Sequence, residues 1–364
     1  MKKPIIIANY LPQFYPTVEN DKWWGKGFTE WTNVAKAKPL YKGHYQPKVP
    51  ADLGFYNLRN ADSREEQAKL AEEAGINAFC YWHYWLGGGR RLLEIPFNEV
   101  LKLGKPDFPF CLGWANHDWQ RKDWSSDASV FIKETLIKQE YRGEKDFVDH
   151  FYDMLPAFKD KRYFKINERL VFKVFRPDSI PETKLFMDTW NKLAKENNLT
   201  GFYFIACTVD KDLINKYISL GYDLVNLSML NYPFNVKYDK INIIKRLISS
   251  KVLRKTKNIE YSKAIEIFND PENINENVAP TIIPNWDHTP RSGNFGNVLN
   301  NSTPELFETH VNQILNSIKR KDNKVVFLKS WNEWGEGNYM EPDLKYGKKY
   351  IKTLSKCLKQ FEEI

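Results

Sequence analysis

Cysteine is scarce in this sequence and is never paired. Only four cysteines occur in 364 residues, and none belongs to a CxxC pair: Cys80, Cys111, Cys207 and Cys357. No histidine cluster at metal-ligand spacing accompanies them. Isolated thiols favour the reduced state over a disulfide framework, which indicates a reducing compartment. We therefore expect a cytoplasmic protein.

Long apolar runs are also missing. No run reaches the roughly 18 residues that a membrane-spanning helix requires, so we expect no transmembrane segment. The apolar stretch within Met1–Asn9 is too short for a signal peptide and has no small-residue cleavage site. It is typical instead of a first β-strand.

Positive charge is in excess, but the excess is local. The chain carries 54 Lys and Arg against 46 Asp and Glu, which gives a net charge of +8. Nine basic and two acidic residues lie between Val236 and Ala264, so this segment carries +7 and the rest of the chain +1. Charge confined to one segment argues against a nucleic-acid partner, whose backbone needs an extended basic footprint.

The basic segment has two interpretations. Its apolar residues recur at helical spacing and predict a helix over Asp239–Lys255. One interpretation is a barrel helix with a solvated basic face. The other is a surface, residues 237–263, that contacts an anionic membrane or polysaccharide and makes the protein peripheral to the inner membrane.

Eight short β-branched or aromatic runs alternate with longer amphipathic runs. The predicted strands are Pro4–Asn9, Ala78–Trp82, Phe108–Trp114, Leu170–Arg176, Gly201–Thr208, Leu224–Met229, Thr281–Trp286 and Val325–Trp331. The predicted helices are Ser63–Ala74, Arg91–Leu103, Glu144–Phe158, Glu182–Asn197, Lys211–Leu220, Asp239–Lys255, Pro304–Lys319 and Tyr346–Phe361. This order predicts an α/β fold, a single-domain (β/α)8 TIM barrel over residues 1–364. Long loops follow strands 1 and 6, over Tyr10–Asp62 and Leu230–Pro280.

Aromatic residues make up 15% of the chain, more than a core requires. Together with polar residues they crowd the ends of the predicted strands, as in Tyr81–Trp85 and Trp114–Trp119. A barrel carries its chemistry on the rim where its strands end. Aromatic rings stack on sugar C–H faces, and planar amides and carboxylates pair with sugar hydroxyls. The rim is therefore typical of a carbohydrate site.

Glu333 and Glu336 are the candidate catalytic residues. Cleavage of a glycosidic bond normally needs two carboxyl groups, one to protonate the leaving oxygen and one to act at the anomeric carbon. Both glutamates follow the eighth strand, and the flanking Trp331 and Trp334 are placed to desolvate one of them. The alternative is a solvated loop whose glutamates cap the following helix.

Five motifs along the chain resemble one known family. They are Trp331–Gly337 followed by Glu341-Pro342, then Tyr10–Phe14, Trp24–Trp31, Trp114–His117 and Trp286–Arg291. In these residues the chain is similar to the WbsX-like proteins of bacterial surface-polysaccharide loci, which are related to glycoside hydrolase family 99. The motifs span nearly the whole chain in order.

The resemblance implies a metal-independent retaining glycosidase of the endo-α-mannosidase type on a (β/α)8 barrel. It implies Glu333 as the base that deprotonates the sugar's own 2-hydroxyl, which then attacks the anomeric carbon, and Glu336 as the acid. Glu333 acting as a direct nucleophile is the alternative. The chain departs from endomannosidases at Gly335, where those enzymes usually carry histidine.

Further residues on the predicted rim are candidates for binding substrate. They are Tyr10, Gln13, Tyr81, His83, Trp114, Asn116, His117, Trp286, Asp287, Arg291, Trp331, Asn332 and Glu341. For the histidines and for Tyr10 and Gln13, packing within the barrel is the competing interpretation. Asp287 and Arg291 are as well explained by pairing with each other. Glu30 lies in an aromatic run and either holds the inserted loop or touches a ligand.

Two other function classes compete with a glycosidase. A glycosyltransferase of O-antigen or capsule biosynthesis would use Asp210-Lys211-Asp212, formally a DxD motif, but an aspartate is expected there as a helix cap. The sequence has no P-loop and no GxGxxG motif, and we expect no cofactor. A non-catalytic glycan-binding barrel is the third class, and the presence of both Glu333 and Glu336 argues against it. In all three classes the partner is a carbohydrate.

Overall fold

A computed structural model describes residues 2–123, 132–234 and 256–362. Nine parallel strands form a nearly closed barrel, in which two short strands share one position. The strands are β1 (Ile5–Tyr10), β2 (Ala78–Trp85), β3 (Phe110–Trp114), β4 (Arg169–Val174), β5 (Phe202–Thr208), β6 (Leu224–Leu227), β7 (Val278–Ala279 and Thr281–Ile282) and β8 (Val325–Leu328). Since β8 pairs with β1, the predicted (β/α)8 barrel is confirmed.

The barrel is interrupted at β7 by Pro280. The half Val278–Ala279 pairs with β6, and the half Thr281–Ile282 pairs with β8. Proline has no N–H to donate to the β6 ladder, and its carbonyl oxygen accepts the N–H of Phe327 in β8 at 3.0 Å. The predicted strand Thr281–Trp286 therefore begins earlier, at Val278, and ends at Ile282.

Amphipathic helices cover the barrel. They are Ala61–Ala74, Ile95–Leu103, Glu144–Phe158, Thr183–Glu196, Ile214–Ser219, Tyr261–Phe268, Pro304–Ile318 and Lys349–Glu362. The helix Pro304–Ile318 shows why such a segment begins where it does. The Thr303 hydroxyl accepts the backbone N–H of Leu306, and Pro304 occupies the first turn, where no N–H is needed.

Short elements shape the loops above and beside the barrel. Three short helices lie at Val18–Trp24, Glu30–Lys36 and Thr289–Ser292. Short strands lie at Arg91–Leu92, Trp119–Asp123, Ile132–Ile137, Lys165–Ile166, Lys257–Glu260, Asn297–Asn300, Asn332–Glu333 and Asn338–Tyr339. Turns of 3₁₀ helix lie at Pro177–Ser179, Lys211–Leu213, Met229–Phe234, Pro271–Ile274, Gly293–Phe295 and Trp334–Glu336.

Three predicted helices are wrong at their beginnings, and one of them, Tyr346–Phe361, starts at Lys349. The predicted helix Arg91–Leu103 starts at Ile95, because Arg91–Leu92 forms an antiparallel pair with the end of β2. The predicted helix Lys211–Leu220 begins as a 3₁₀ turn and becomes α-helical at Ile214. Of the predicted basic segment 237–263, residues 237–255 lie outside the described residues.

No helix within the described ranges is long and apolar enough to cross a lipid bilayer. The apolar core instead fills the barrel and the layer between strands and helices.

Candidate active site

The loop after β8 is fixed to the end of β1. The backbone N–H of Trp331 donates to the carbonyl oxygen of Asn9 at 2.8 Å. The side chain of Asn332 forms two further bonds to Leu11, accepting its N–H at 2.8 Å and donating to its carbonyl oxygen at 3.0 Å. Asn332 thus extends the β1–β8 pairing beyond the last ladder bond and presents the next residue, Glu333, at the barrel mouth.

A tight hairpin then places Glu336. Asn332–Glu333 pairs in antiparallel fashion with Asn338–Tyr339, and the 3₁₀ turn Trp334–Glu336 connects them. Gly337 ends this turn with a φ of 54°, a left-handed conformation that glycine adopts without strain. Both candidate glutamates therefore sit on one short, hydrogen-bonded structure.

Buried contacts beneath the hairpin hold it in place. Trp334 stacks on Tyr339 with a centroid separation of 3.8 Å, and its indole N–H donates to the carboxylate of Glu341 at 2.6 Å. Glu341 also accepts from Gln67 at 2.6 Å and from Tyr56 at 2.9 Å. Glu341 is thus a support for the loop, buried beneath it rather than open to the barrel mouth.

One guanidinium group binds three carboxylates at this mouth. Arg291 donates from Nη2 to Glu333 at 3.0 Å, from Nη1 to Glu336 at 2.5 Å, and from Nε to Glu30 at 3.0 Å. His288 lies 3.7 Å from Glu336. Burial opposes the charge of Arg291, but the three carboxylates outweigh burial and raise the pKa of its guanidinium. Because one rigid fork bonds both candidate catalytic carboxylates, their separation is fixed by Arg291.

Glu30 occupies the space beside Gly335. It is the first residue of the helix Glu30–Lys36, and it is buried. A Cβ atom on Gly335 would lie 1.9 Å from Oε2 of Glu30 and 3.0 Å from Nε of Arg291. The absence of a side chain at Gly335 is therefore what lets Glu30 reach Arg291.

The environment of Glu333 favours its protonated form. Burial is the largest cause, and the neighbouring Glu336 adds to it, whereas Arg291 opposes both. Together they raise the pKa of Glu333 to about 8. Protonation of Glu333 is therefore favoured near neutral pH, beside Glu336 on the same guanidinium.

The barrel interior below the pair contains a lysine that the sequence analysis missed. Lys173 of β4 is buried, donates to the amide oxygen of Asn9 at 2.9 Å, and lies 3.7 Å from the ring centroid of Phe327. The half-buried Trp82 ring is 5.4 Å from the same ammonium. In the sequence, Lys173 is the one charged residue within the apolar run Leu170–Val174, and this exception could have indicated a buried lysine.

The structure brings some predicted site residues together at the mouth. Glu333, Glu336 and Arg291 share hydrogen bonds, and Trp286 stacks near His288 with centroids 5.7 Å apart. His117 is half-buried on another side of the rim, 5.3 Å from the ring of Phe175. These are the predicted residues that retain exposed surface.

Other predicted site residues are buried and have partners within the protein. Tyr10 donates to Gln67 at 2.7 Å, His83 lies 2.8 Å from His150, and Trp114 donates to the carbonyl oxygen of Trp85 at 2.8 Å. The complete set with nine-tenths or more of the residue surface buried is Tyr10, Gln13, Tyr81, His83, Trp114, Asn116, Asp287, Trp331, Asn332 and Glu341. In the structure these residues shape the barrel and its loops.

The predicted pairing of Asp287 with Arg291 is wrong. The carboxylate of Asp287 accepts from His44, Gln46 and Thr289, and the guanidinium of Arg291 turns to the glutamates instead. These donors and the nearby Lys48 hold the pKa of Asp287 well below its usual range, although burial alone would raise it.

The DxD sequence acts as a helix cap. The Asp210 carboxylate accepts the backbone N–H of Asp212 at 3.0 Å at the start of the 3₁₀ turn Lys211–Leu213. Within the described ranges no group of three or more His, Cys, Asp or Glu side chains is arranged to hold a metal ion.

Comparison with known sequences gives one family over nearly the full length. Residues 6–354 match the family described as Glycosyltransferase WbsX. The chain is 31% identical over 374 residues to the uncharacterized protein WxcX of Xanthomonas campestris pv. campestris strain B100. That match covers 99% of this chain and 50% of WxcX, so the chain spans about half the length of the curated relatives it matches.

Comparison with solved structures gives glycoside hydrolase folds. One is described as a glycoside hydrolase-like protein, with a TM-score of 0.58 and 16% identity over 98% of this chain and 94% of that one. Another is the GH99 endo-alpha-mannosidase from Bacteroides thetaiotaomicron, with a TM-score of 0.56 and 12% identity over 98% and 97% of the two chains. At these identities the likeness concerns the fold.

Proposed function

The chain belongs to the WbsX glycosyltransferase family, and we propose that it cleaves or transfers glycosidic bonds with retention, as a glycoside hydrolase or transglycosylase. The observation that carries this proposal is the pair Glu333 and Glu336 on the single guanidinium of Arg291. Two carboxyl groups at the mouth of a barrel are what glycosidic bond cleavage requires. The substrate we propose is an α-linked, mannose-type bacterial surface polysaccharide or its precursor.

The proposed roles follow the family resemblance. Glu333 takes the proton of the sugar's 2-hydroxyl as that oxygen attacks the anomeric carbon. Glu336 protonates the departing oxygen and later takes a proton from water. The pair needs one proton in all, and the raised pKa of Glu333 favours keeping one on the two carboxyl groups at neutral pH. The first step requires this proton on Glu336, and Arg291, bonded to both carboxylates, offsets the charge in either arrangement.

The activity should depend on the single proton of this pair. Because the pKa of Glu333 is raised to about 8, the pair loses its last proton above that pH and no acid remains for the leaving oxygen. We expect kcat/KM to fall about tenfold per pH unit above pH 8, whichever carboxylate holds the proton during the reaction. A profile measured from about pH 5 to about pH 10 checks this. Activity constant to the alkaline end would contradict it.

A sugar-nucleotide-dependent glycosyltransferase is the second candidate, and the description of the family favours it. Such an enzyme must bind a nucleoside diphosphate, commonly through a divalent metal. The DxD sequence that would supply the metal ligands is used as a helix cap here. The geometry of the β8 loop supports the glycosidase instead.

A parallel binding experiment separates the two candidates. Mannose-type iminosugars, UDP-sugars and GDP-sugars are each titrated by calorimetry into the wild-type protein and into Glu333→Gln, with and without Mg²⁺ or Mn²⁺. We expect iminosugar binding that the substitution weakens and that no metal affects. Metal-dependent binding of a sugar nucleotide, lost in Asp210→Asn, would overturn the glycosidase.

A further inference from the structure

A second polar cavity lies beside the catalytic loop. It measures about 300 Å³, at the lower end of the roughly 300–1,000 Å³ range of small-molecule sites. Four segments line it, residues 41–48, 258–260, 285–302 and 339–350. Five tyrosines contribute rings or hydroxyls, and we call it the tyrosine cavity after them: Tyr41, Tyr45, Tyr339, Tyr346 and Tyr350.

The tyrosine cavity shares a wall with the catalytic pair. The backbone N–H of Asp287, a lining residue, donates to the carbonyl oxygen of Glu336 at 2.8 Å. Lys48, on the cavity side, donates to the carbonyl oxygen of Gly337 at 3.3 Å. A ligand in this cavity would therefore lie against the loop that carries Glu336.

Two lysine ammonium groups line the cavity, and each has N–H groups that make no hydrogen bond to the described protein. Lys48 is 8% exposed, and its 3.3 Å bond to Gly337 uses one of three N–H groups. Lys345 lies 4.7 Å from the ring centroid of Tyr45 and 4.8 Å from that of Tyr346. In the described part of the chain, neither ammonium has a carboxylate within 4.0 Å. Asp287 and Asp343 lie farther from Lys48 and still act on its charge.

Three carboxylates line the cavity, and each accepts from other donors; Glu260 accepts from the side-chain amide of Asn301 at 2.8 Å. Asp287 accepts from His44 at 2.8 Å, from Gln46 at 2.6 Å and from the hydroxyl of Thr289 at 2.6 Å. Asp343 accepts from the hydroxyl of Tyr339 at 2.8 Å and from the backbone N–H of Tyr346 at 2.6 Å. Burial lowers the pKa of Lys48, and the charges of Asp287 and Asp343, which are bound to other donors, offset that effect only in part. An anionic ligand group would offset the remainder.

We propose that the tyrosine cavity binds a carboxylate-bearing sugar, a uronic acid unit of the glycan, through Lys48 and Lys345. The carboxylate accepts the spare N–H groups, and the tyrosine rings and hydroxyls contact the sugar ring. This inference rests on the proposed function, because the sugar is taken to be a unit of the glycan that the catalytic pair processes. It adds that this glycan is acidic and that the protein binds its uronic acid unit next to the cleaved bond.

Calorimetric titration with glucuronate and galacturonate tests the proposal, with glucose, galactose and acetate as matched ligands. We expect saturable binding of at least one uronate, and none of the neutral sugars or acetate at the same concentration. Lys48→Met and Lys345→Met should each weaken uronate binding at least about tenfold, the effect of losing one hydrogen bond to a charged group. Lys345 is exposed, so its variant should fold even if removing the buried Lys48 disturbs the loop.

Two controls separate this inference from the proposed function. Lys348→Met removes a nearby lysine that pairs with Glu73 outside the cavity, and it should bind uronate like the wild type. Glu336→Gln should also bind it normally, because a monosaccharide in the cavity needs no catalysis. Absent uronate binding, equal binding of acetate, or binding unchanged by both cavity variants would overturn the inference. A protein that binds uronate but cleaves no glycan would contradict the proposed function alone.

Discussion

Glu336→Gln is expected to lower kcat/KM by about 10²- to 10⁴-fold on a natural glycan, the range that proton transfer by one positioned carboxyl group contributes. Glutamine keeps the shape of the side chain and can still meet Arg291, but it cannot donate a proton to a leaving alkoxide. On a dinitrophenyl glycoside of the same sugar the leaving group needs no proton. Most of the first-step rate should therefore return on that substrate.

Glu333→Gln is the matched variant and should behave differently. The base is needed whatever group departs, so activity should be lost by a similar factor on both substrates. Pre-steady-state rates with the glycan and the dinitrophenyl glycoside measure the contrast, and thermal unfolding of both variants controls for folding. Recovery in Glu333→Gln and none in Glu336→Gln would reverse the two roles. Recovery in neither would show that neither glutamate is the acid.

Gly335→Ala should be severely disruptive although it adds one methyl group. Its Cβ would lie 1.9 Å from the buried carboxylate of Glu30, so Glu30 must leave Arg291. Breaking a buried ion pair costs up to about 3–5 kcal/mol, and Arg291 would lose the contact that sets its orientation toward Glu333 and Glu336. We expect a loss of kcat/KM of at least tenfold and a lower midpoint of urea unfolding. Steady-state rates and equilibrium unfolding measure the two effects.

A double-mutant cycle identifies the cause. The φ of Gly335 lies outside the left-handed region, so backbone strain does not explain a defect there. With Glu30→Ala in place the 1.9 Å clash is gone and only the 3.0 Å contact with Nε of Arg291 remains, so adding Gly335→Ala should then cost much less further stability. Equal costs of Gly335→Ala in both backgrounds would contradict the proposed contact.

The sequence was sufficient for the parts of the site that lie close together in the chain. Glu333 and Glu336 are three positions apart at the end of an apolar strand, so pattern and chemistry pointed to both. Arg291 and Glu30 are 261 positions apart, and no local pattern shows that they meet. The wrong pairing of Asp287 with Arg291 has the same origin: adjacency in the chain favoured it, and the fold directs the two side chains apart.

The strands were predictable because apolar runs report burial on both faces, but their ends were not. β7 is the clearest case, since its ladder partners depend on the position of Pro280 relative to two neighbouring strands. The burial of Tyr10, Tyr81 and Trp114 could not be predicted from the sequence either. An aromatic residue near a strand end is found in a binding site or in a core, and only the direction of its side chain decides.

The divided β7 also determines where the barrel is weakest. Each half contributes two register pairs to its neighbour, whereas β2 and β3 share five. Regions with few backbone hydrogen bonds open at lower free energy than the rest of a domain. The barrel therefore has a seam between β6 and β8, and the segment that follows this seam carries Asp287 and Arg291. We expect the backbone amides of β7 to exchange with solvent faster than those of β2 and β3.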